Sequence, residues 1–379
     1  MLRRTSLLLF SITAFAQPYY PGKHNDWKTK SPAEAGFDAA KLEAAIAIAK
    51  AGESKSPRDL KFSHDLSFGR EMYGEAIGPF KPRGDMTGII VRGGYIVAEW
   101  GEPHRVDMTF SVAKSFVSTT VGLALHDGLI ASINDPVGRY VTTGEFEKGL
   151  NAKITWDHLL RQTSDWEGTL WGKPDWADRP PKEGVEAYRK REHNAPGTSY
   201  KYNDVRVNLL ALSSLHVWRR PLPQVLKERI MDPIGASQTW RWYGYENSWV
   251  NIDGVMVQSV AGGSHWGGGM WIAARDQARF GLLTARNGKW NGKQLIPESW
   301  IKMARTPTPV QPTYGFMNWY LNTAKQSWPS APESAFAHVG NGTNIIYCDP
   351  ENDLVVVLRW INGGSIDPFI KALLEAMKK

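Results

Sequence analysis

Apolar and polar positions follow two periodicities, and these occupy different parts of the chain. Met86–Gly101, MTGIIVRGGYIVAEWG, reads as two β-rich arms around Gly93-Gly94, which supply a hairpin turn. Toward the other end, YGFMNWYL (Tyr314–Leu321), FAHVGNGTNIIYCDP (Phe336–Pro350) and LVVVLRWI (Leu354–Ile361) read as strands separated by turn residues. A 3.6-residue period marks AAKLEAAIAIAK (Ala39–Lys50), the stretch from Ser111 to Leu129, DVRVNLLALSSL (Asp204–Leu215) and the closing SIDPFIKALLEAMKK. Ser264–Leu283, SHWGGGMWIAARDQARFGLL, reads as a Gly-rich turn feeding a helix. From about Ile130 to Tyr245 the pattern is helix and loop, rich in Pro and Trp. Strands therefore lie at both ends and helices between them. This predicts an α/β (α+β) fold in which terminal segments complete one sheet around an inserted helical lobe. The expected sheet lobe is 84–110 plus 255–379, the helical lobe about 111–254, and 17–83 a lead-in with one helix.

The first residues change the picture of where the chain works. Arg3 and Arg4 precede SLLLFSITAFA, and Ala14-Phe15-Ala16 is an A-x-A cleavage pattern, so 1–16 reads as a signal peptide cut after Ala16. The expected location is the periplasm or the exterior. A twin-arginine route fits the rest of the pattern poorly, and no cysteine follows the cut to carry a lipid. Nothing later is apolar enough over a long enough run to predict a membrane span. The single cysteine, Cys348, excludes an internal disulfide and reads as a small core residue.

Removing Arg3 and Arg4 lowers the formal charge from +7 to +5, and the remaining basic residues are dispersed. The densest run, Arg189-Lys190-Arg191, is followed at once by Glu192 and reads as a solvated helix face, so no nucleic-acid partner is expected.

Candidate chemistry begins at Ser111 and Lys114. A serine hydroxyl is a weak nucleophile until a base takes its proton. Positions i and i+3 share one helix face, so Lys114 can reach Ser111, and free N–H groups at the first turn favour a developing oxyanion. The tetrapeptide alone is weak. A second Ser-x-x-Lys, Ser299 to Lys302, has no supporting context. GGSHWGGGM lacks the residues that follow a phosphate-binding loop and reads as a structural turn, although His265 and Trp266 could line a cleft. No metal-ligand spacing occurs, so neither metal nor other cofactor is expected.

Five segments in order carry a resemblance: TFSVAKSFVSTTVGLALHDGLI, ITWDHLLRQTSDWEG, PGTSYKYNDVRVNLLAL, GGGMWIAARDQARFGLL and HVGNGT. Together they resemble the serine β-lactamase and penicillin-binding superfamily. Within it the nearest likeness is to class C β-lactamase-related esterases and 6-aminohexanoate-dimer hydrolases, from roughly Thr87 to the C-terminus. The resemblance implies an antiparallel sheet flanked by helices, with Ser111 as the acylated nucleophile and Lys114 as its partner. It implies Tyr202 as general base, with a pKa lowered by Lys114; Tyr200 competes for that role.

Asp204 stands where the family usually has Asn. It could pair with Lys114 and disfavour an anionic substrate, or cap the helix that follows. His338-Val339-Gly340 takes the place of Lys-Thr-Gly, and the backbone N–H groups of Ser111 and Asn341 would be the oxyanion donors. Trp166, Trp171 and Trp176 would shape an acyl pocket. The implied activity is hydrolysis of a small-molecule ester or amide, with a β-lactam less favoured because the Lys of Lys-Thr-Gly is missing. The rival reading is a non-catalytic sensor or binding protein on the same fold.

Overall fold

The computed structural model describes residues 18–378. The expected leader, Met1–Ala16, lies outside them. A six-stranded antiparallel sheet runs in the order Tyr320–Leu321, Phe336–Gly340, Asn344–Asp349, Leu354–Arg359, Thr87–Arg92, Tyr95–Trp100. The N-terminal hairpin therefore docks beside the last strand, with Thr87 opposite Arg359 and Arg92 opposite Leu354. Gly93 and Gly94 close that hairpin at φ +60° and +86°, the left-handed pair that a two-residue turn requires.

The unbroken apolar strands mean that both faces are covered. Ile89, Val91, Ile346, Cys348, Val355 and Val357 point to one side and Ile90, Ile345, Tyr347, Val356 and Leu358 to the other. The second side is sealed by helices Ala39–Ala51 and Ile366–Glu375, through Leu42, Ala45, Ala49, Phe369, Ile370 and Leu373. The lead-in helix is thus part of the core rather than an appendage. The first side receives helix Ala274–Ala285 and, beyond it, helix Ala113–His126, which follows Ser111, and helix Asp204–Trp218.

One stretch departs from the sequence reading. Arg241–Ile252, expected to lie mainly in the helical lobe, is a twelve-residue strand. It forms a second, four-stranded sheet in the order Asp107–Met108, Gly269–Ile272, Arg241–Ile252, Val255–Val260. Its pairing shifts register between Gly244 and Trp249, which breaks the alternation that would mark a strand. Among the described residues, no helix is long and apolar enough to cross a membrane.

Candidate active site

Helix Ala113–His126 is entered through a tight turn that carries Ser111. Phe110 has φ +48°, a strained value for a bulky residue, and Phe110–Val112 form one 3₁₀ turn before the α-helix starts at Ala113. Ser111 makes no cap bond. Its hydroxyl instead accepts a 2.7 Å hydrogen bond from Lys114 Nζ. Twelve consecutive residues of this helix, Ala113–Ala124, are buried, so Lys114 is enclosed completely while Ser111 keeps 7% of its surface exposed.

The buried ammonium is matched by Asp204, whose carboxylate pairs directly with Lys114 Nζ. Asn203 caps the Asp204–Trp218 helix by accepting from Arg206 N at 3.1 Å, which frees Asp204 from the capping role. Arg179 Nη2 lies 3.7 Å from the other Asp204 oxygen, and its Nη1 pairs with Asp178, which accepts from Asp204 N. Burial favours the neutral form of Asp204, but Lys114 and Arg179 overcome this and hold its pKa below the usual carboxylate range. Burial lowers the pKa of Lys114, and Asp204 opposes that shift. For Arg179, burial favours loss of charge, but Asp178 and Asp204 more than offset it.

Tyr202 stands beside this pair, with Lys114 Nζ 4.7 Å and the Arg179 guanidinium 5.0 Å from its ring centroid. Lys114 thus meets the ring face. Burial, Tyr320 and Asp204 push the Tyr202 phenol well above its ordinary pKa, opposite to the lowering expected from Lys114. Tyr200 lies one layer away, 5.4 Å from Tyr314.

Strand Phe336–Gly340 supplies the far wall. A β-carbon at Gly340 would collide with the Thr109 carbonyl and stand 3.2 Å from Ser111 N, so only glycine lets strand and nucleophile turn approach this closely. Asn341 follows at the exposed hairpin turn and holds Asn344 through a 2.8 Å bond from Nδ2 to its carbonyl. His338 is fully buried. Its Nδ1 is 2.9 Å from Ser115 Oγ, and Phe280, Trp319 and Phe336 enclose the ring. Burial drives its pKa down to about 3, so the ring is neutral. It is sealed in the core against Ser115 of helix Ala113–His126 and reaches no exposed surface, unlike the substrate-binding place that the sequence suggested.

The tryptophans divide. Trp166 is a core residue, 3% exposed, and donates to Glu145 O at 2.8 Å. Trp171 and Trp176 are half-buried against Tyr245 and Tyr73. Trp266 is buried and donates to Tyr73 O at 2.9 Å. His265 lies next to the Asp178–Asp204 pair, and its Nε2 is 2.9 Å from Glu71 Oε2.

Glu71, Asp178 and His265 place three potential ligand atoms within 4.8 Å of one another. Arg179 already pairs with Asp178, so protein charge supplies a partner where a cation would otherwise be needed. The sequence reading missed Glu71, Asp178 and Arg179, which belong to no motif. The second Ser-x-x-Lys is unremarkable: Ser299 and Lys302 are exposed on a short helix.

Known proteins share this framework. The chain is 24% identical over 281 residues to an uncharacterised protein of Alkalihalophilus pseudofirmus, covering 68% of this chain and 74% of that protein. A Bacillus anthracis protein provisionally described as a 6-aminohexanoate-dimer hydrolase superposes with a TM-score of 0.57 at 17% identity, over 94% of this chain and 97% of that one. EstCE1, a hydrolase with promiscuous acyltransferase activity, superposes with a TM-score of 0.58 at 13% identity, over 88% of this chain and 98% of that one. At such identities the superpositions speak for the fold alone. The family model named Beta-lactamase matches residues 82–365, which span Ser111, Lys114, Tyr202, Asp204 and Gly340, and the chain belongs to that family.

Proposed function

We propose that this protein is an exported serine hydrolase that opens an ester or amide through an acyl-enzyme on Ser111. The observation that carries the reading is the 2.7 Å bond between the Ser111 hydroxyl and a completely buried Lys114. Burial lowers the pKa of that amine, which eases its passage to the neutral form that can accept a proton. In the first step Ser111 Oγ bonds to the substrate carbonyl carbon while its proton passes to Lys114 Nζ. The carbonyl oxygen becomes an oxyanion at the backbone N–H groups of Ser111 and Asn341. Donors so placed contribute about 3 kcal/mol each to transition-state stabilisation.

Collapse expels the leaving group. The Tyr202 phenol, kept protonated by its raised pKa, gives the leaving group a proton and recovers one from Lys114. Water then enters by the reverse path and frees the acid. The general-base role inferred for Tyr202 from sequence thus passes to Lys114, the group in hydrogen-bond contact with the nucleophile.

The substrate class is a small ester or linear amide ahead of a β-lactam. Asp204 adds negative charge near the nucleophile, and no lysine occupies the position of His338, so a substrate carboxylate finds little help there. The test is a panel of ester, amide and β-lactam substrates on wild type and Ser111→Ala. Ester or amide turnover that vanishes in Ser111→Ala is expected. Turnover surviving that change would remove the nucleophile, and strong nitrocefin turnover at low enzyme concentration would reverse the substrate ranking. Export is checked separately, by whether the mature protein begins at Gln17.

A further inference from the structure

The Gly-rich stretch GGSHWGGGM binds no phosphate in this reading; the structure gives it another task. Residues 66–80, which precede the family-matched region, run as a strap along the Gly-rich segment, with the Phe68 ring centroid 4.3 Å from that of His265. Ile77 N and Gly78 N both donate to Trp266 O at 3.0 Å, and Gly268 N donates to Pro79 O at 2.9 Å. A β-carbon on Gly267 would collide with the Gly78 carbonyl, so backbone meets backbone at this seam. Lys173 Nζ ties the strap from the opposite side, donating to Tyr73 O at 2.8 Å and Glu75 O at 2.9 Å.

The strap delivers one charged group inward. Glu71 Oε2 lies 2.9 Å from His265 Nε2. The other ring nitrogen, Nδ1, is buried with no hydrogen-bond partner, 3.5 Å from Asp178 Oδ1 and 3.8 Å from Asp204 Oδ2. Both nitrogens face carboxylates, which only accept, so each is matched best as a donor. His265 then stands between the strap's carboxylate and the carboxylate that holds Lys114. The other charged or titratable neighbours are Arg179 beside Asp178, Lys114 beyond Asp204, and His64 from helix Leu60–Asp65.

We infer that Glu71 is a positioning residue: through His265 it sets the charge and orientation of the Asp204–Lys114 pair that activates Ser111. The inference rests on the hydrolase reading above. Glu71 Oε2 fixes the ring so that Nδ1 faces Asp178 and Asp204. A ring that donates from both nitrogens shares the charge of Asp204 and so weakens its hold on the Lys114 proton.

The experiment measures the rate of Ser111 labelling by a fluorophosphonate against pH, in wild type, Glu71→Gln, Glu71→Asp and Ser111→Ala. Gln preserves side-chain shape and removes the charge. Glu71→Gln should label on the order of ten-fold more slowly at neutral pH. Its rising limb should move to higher pH by about one unit, and Glu71→Asp should recover part of both effects. A merely structural contact would lower the melting temperature and leave the limb in place; that result overturns the proposal, as does a limb that moves to lower pH. If Glu71→Gln fails to fold, His265→Asn is read on the same limb, and an unmoved limb there overturns it equally. Label persisting in Ser111→Ala would instead sink the hydrolase reading, whereas Ser111-dependent labelling with an unchanged limb removes only the role of Glu71.

Discussion

At the scale of single residues, Asp204 shows how one substitution within a motif resets the chemistry around it. Its carboxylate favours the protonated form of Lys114, while burial and Arg179 oppose that form. If Lys114 accepts the serine proton, kcat/KM should rise with pH as Lys114 deprotonates, on a limb below the ordinary lysine value of 10.5. Asp204→Asn removes the opposing charge and should move that limb to lower pH; a limb that stays or climbs would count against Lys114 as the base. Asp204→Ala leaves a buried ammonium unpaired and should cost about 3–5 kcal/mol in urea unfolding.

His338 illustrates the opposite lesson. The sequence places it in a functional motif, but the burial of a strand position depends on what packs over it, here Phe280 and Trp319. His338→Leu should lower stability by about 1–3 kcal/mol, because Ser115 loses its partner, and should leave the ranking of substrates unchanged. A changed ranking in a substrate panel would return His338 to the substrate surface.

At the scale of elements, the site is a meeting of one turn, one strand and one helix start. Gly340 sets their spacing. Gly340→Ala would push the strand away from Thr109 and Ser111. Asn341 is the next residue, so if its N–H is the second oxyanion donor proposed above, the donor moves with it at a cost of about 10²–10³ in kcat. Equal losses in kcat and stability would instead mean that the whole sheet edge had failed. The sheet itself is legible in the sequence because LVVVLR and TGIIVR are apolar on both faces, as a doubly covered strand must be. Arg241–Ile252 is not legible, because Gly244 and the bulge after it break the alternation. Ser111 and Lys114 are singled out by their spacing along a helix, and Tyr202 by the resemblance of the segment after Pro196-Gly197-Thr198 to a family motif. Glu71 has no such signal: its partner His265 is 194 residues away, and only the fold makes them neighbours.

At the scale of the molecule, the central sheet separates a face that holds the fold together from a face that carries the chemistry. The terminal helices Ala39–Ala51 and Ile366–Glu375 cover one face with residues such as Leu42, Ala45 and Phe369, while Val112–Ala124 pack on the other side. This arrangement brings segments from opposite ends of the chain into one layer, and it should make stability and activity separable. Phe369 is fully buried beneath the sheet, and Phe369→Ala should lower the unfolding free energy by about 3–5 kcal/mol through lost burial and the cavity left behind. Between Phe369 and Ser111 lies the sheet, whose four inner strands are held by backbone ladders on both sides. Per folded molecule, kcat/KM should therefore stay within about two-fold of wild type at a temperature where both are fully folded. Urea unfolding and active-site titration on the same samples check both halves of the prediction. A large fall in kcat/KM without unfolding would show that the two faces are mechanically coupled, and that the terminal helices help to position the site as well as to stabilise the fold.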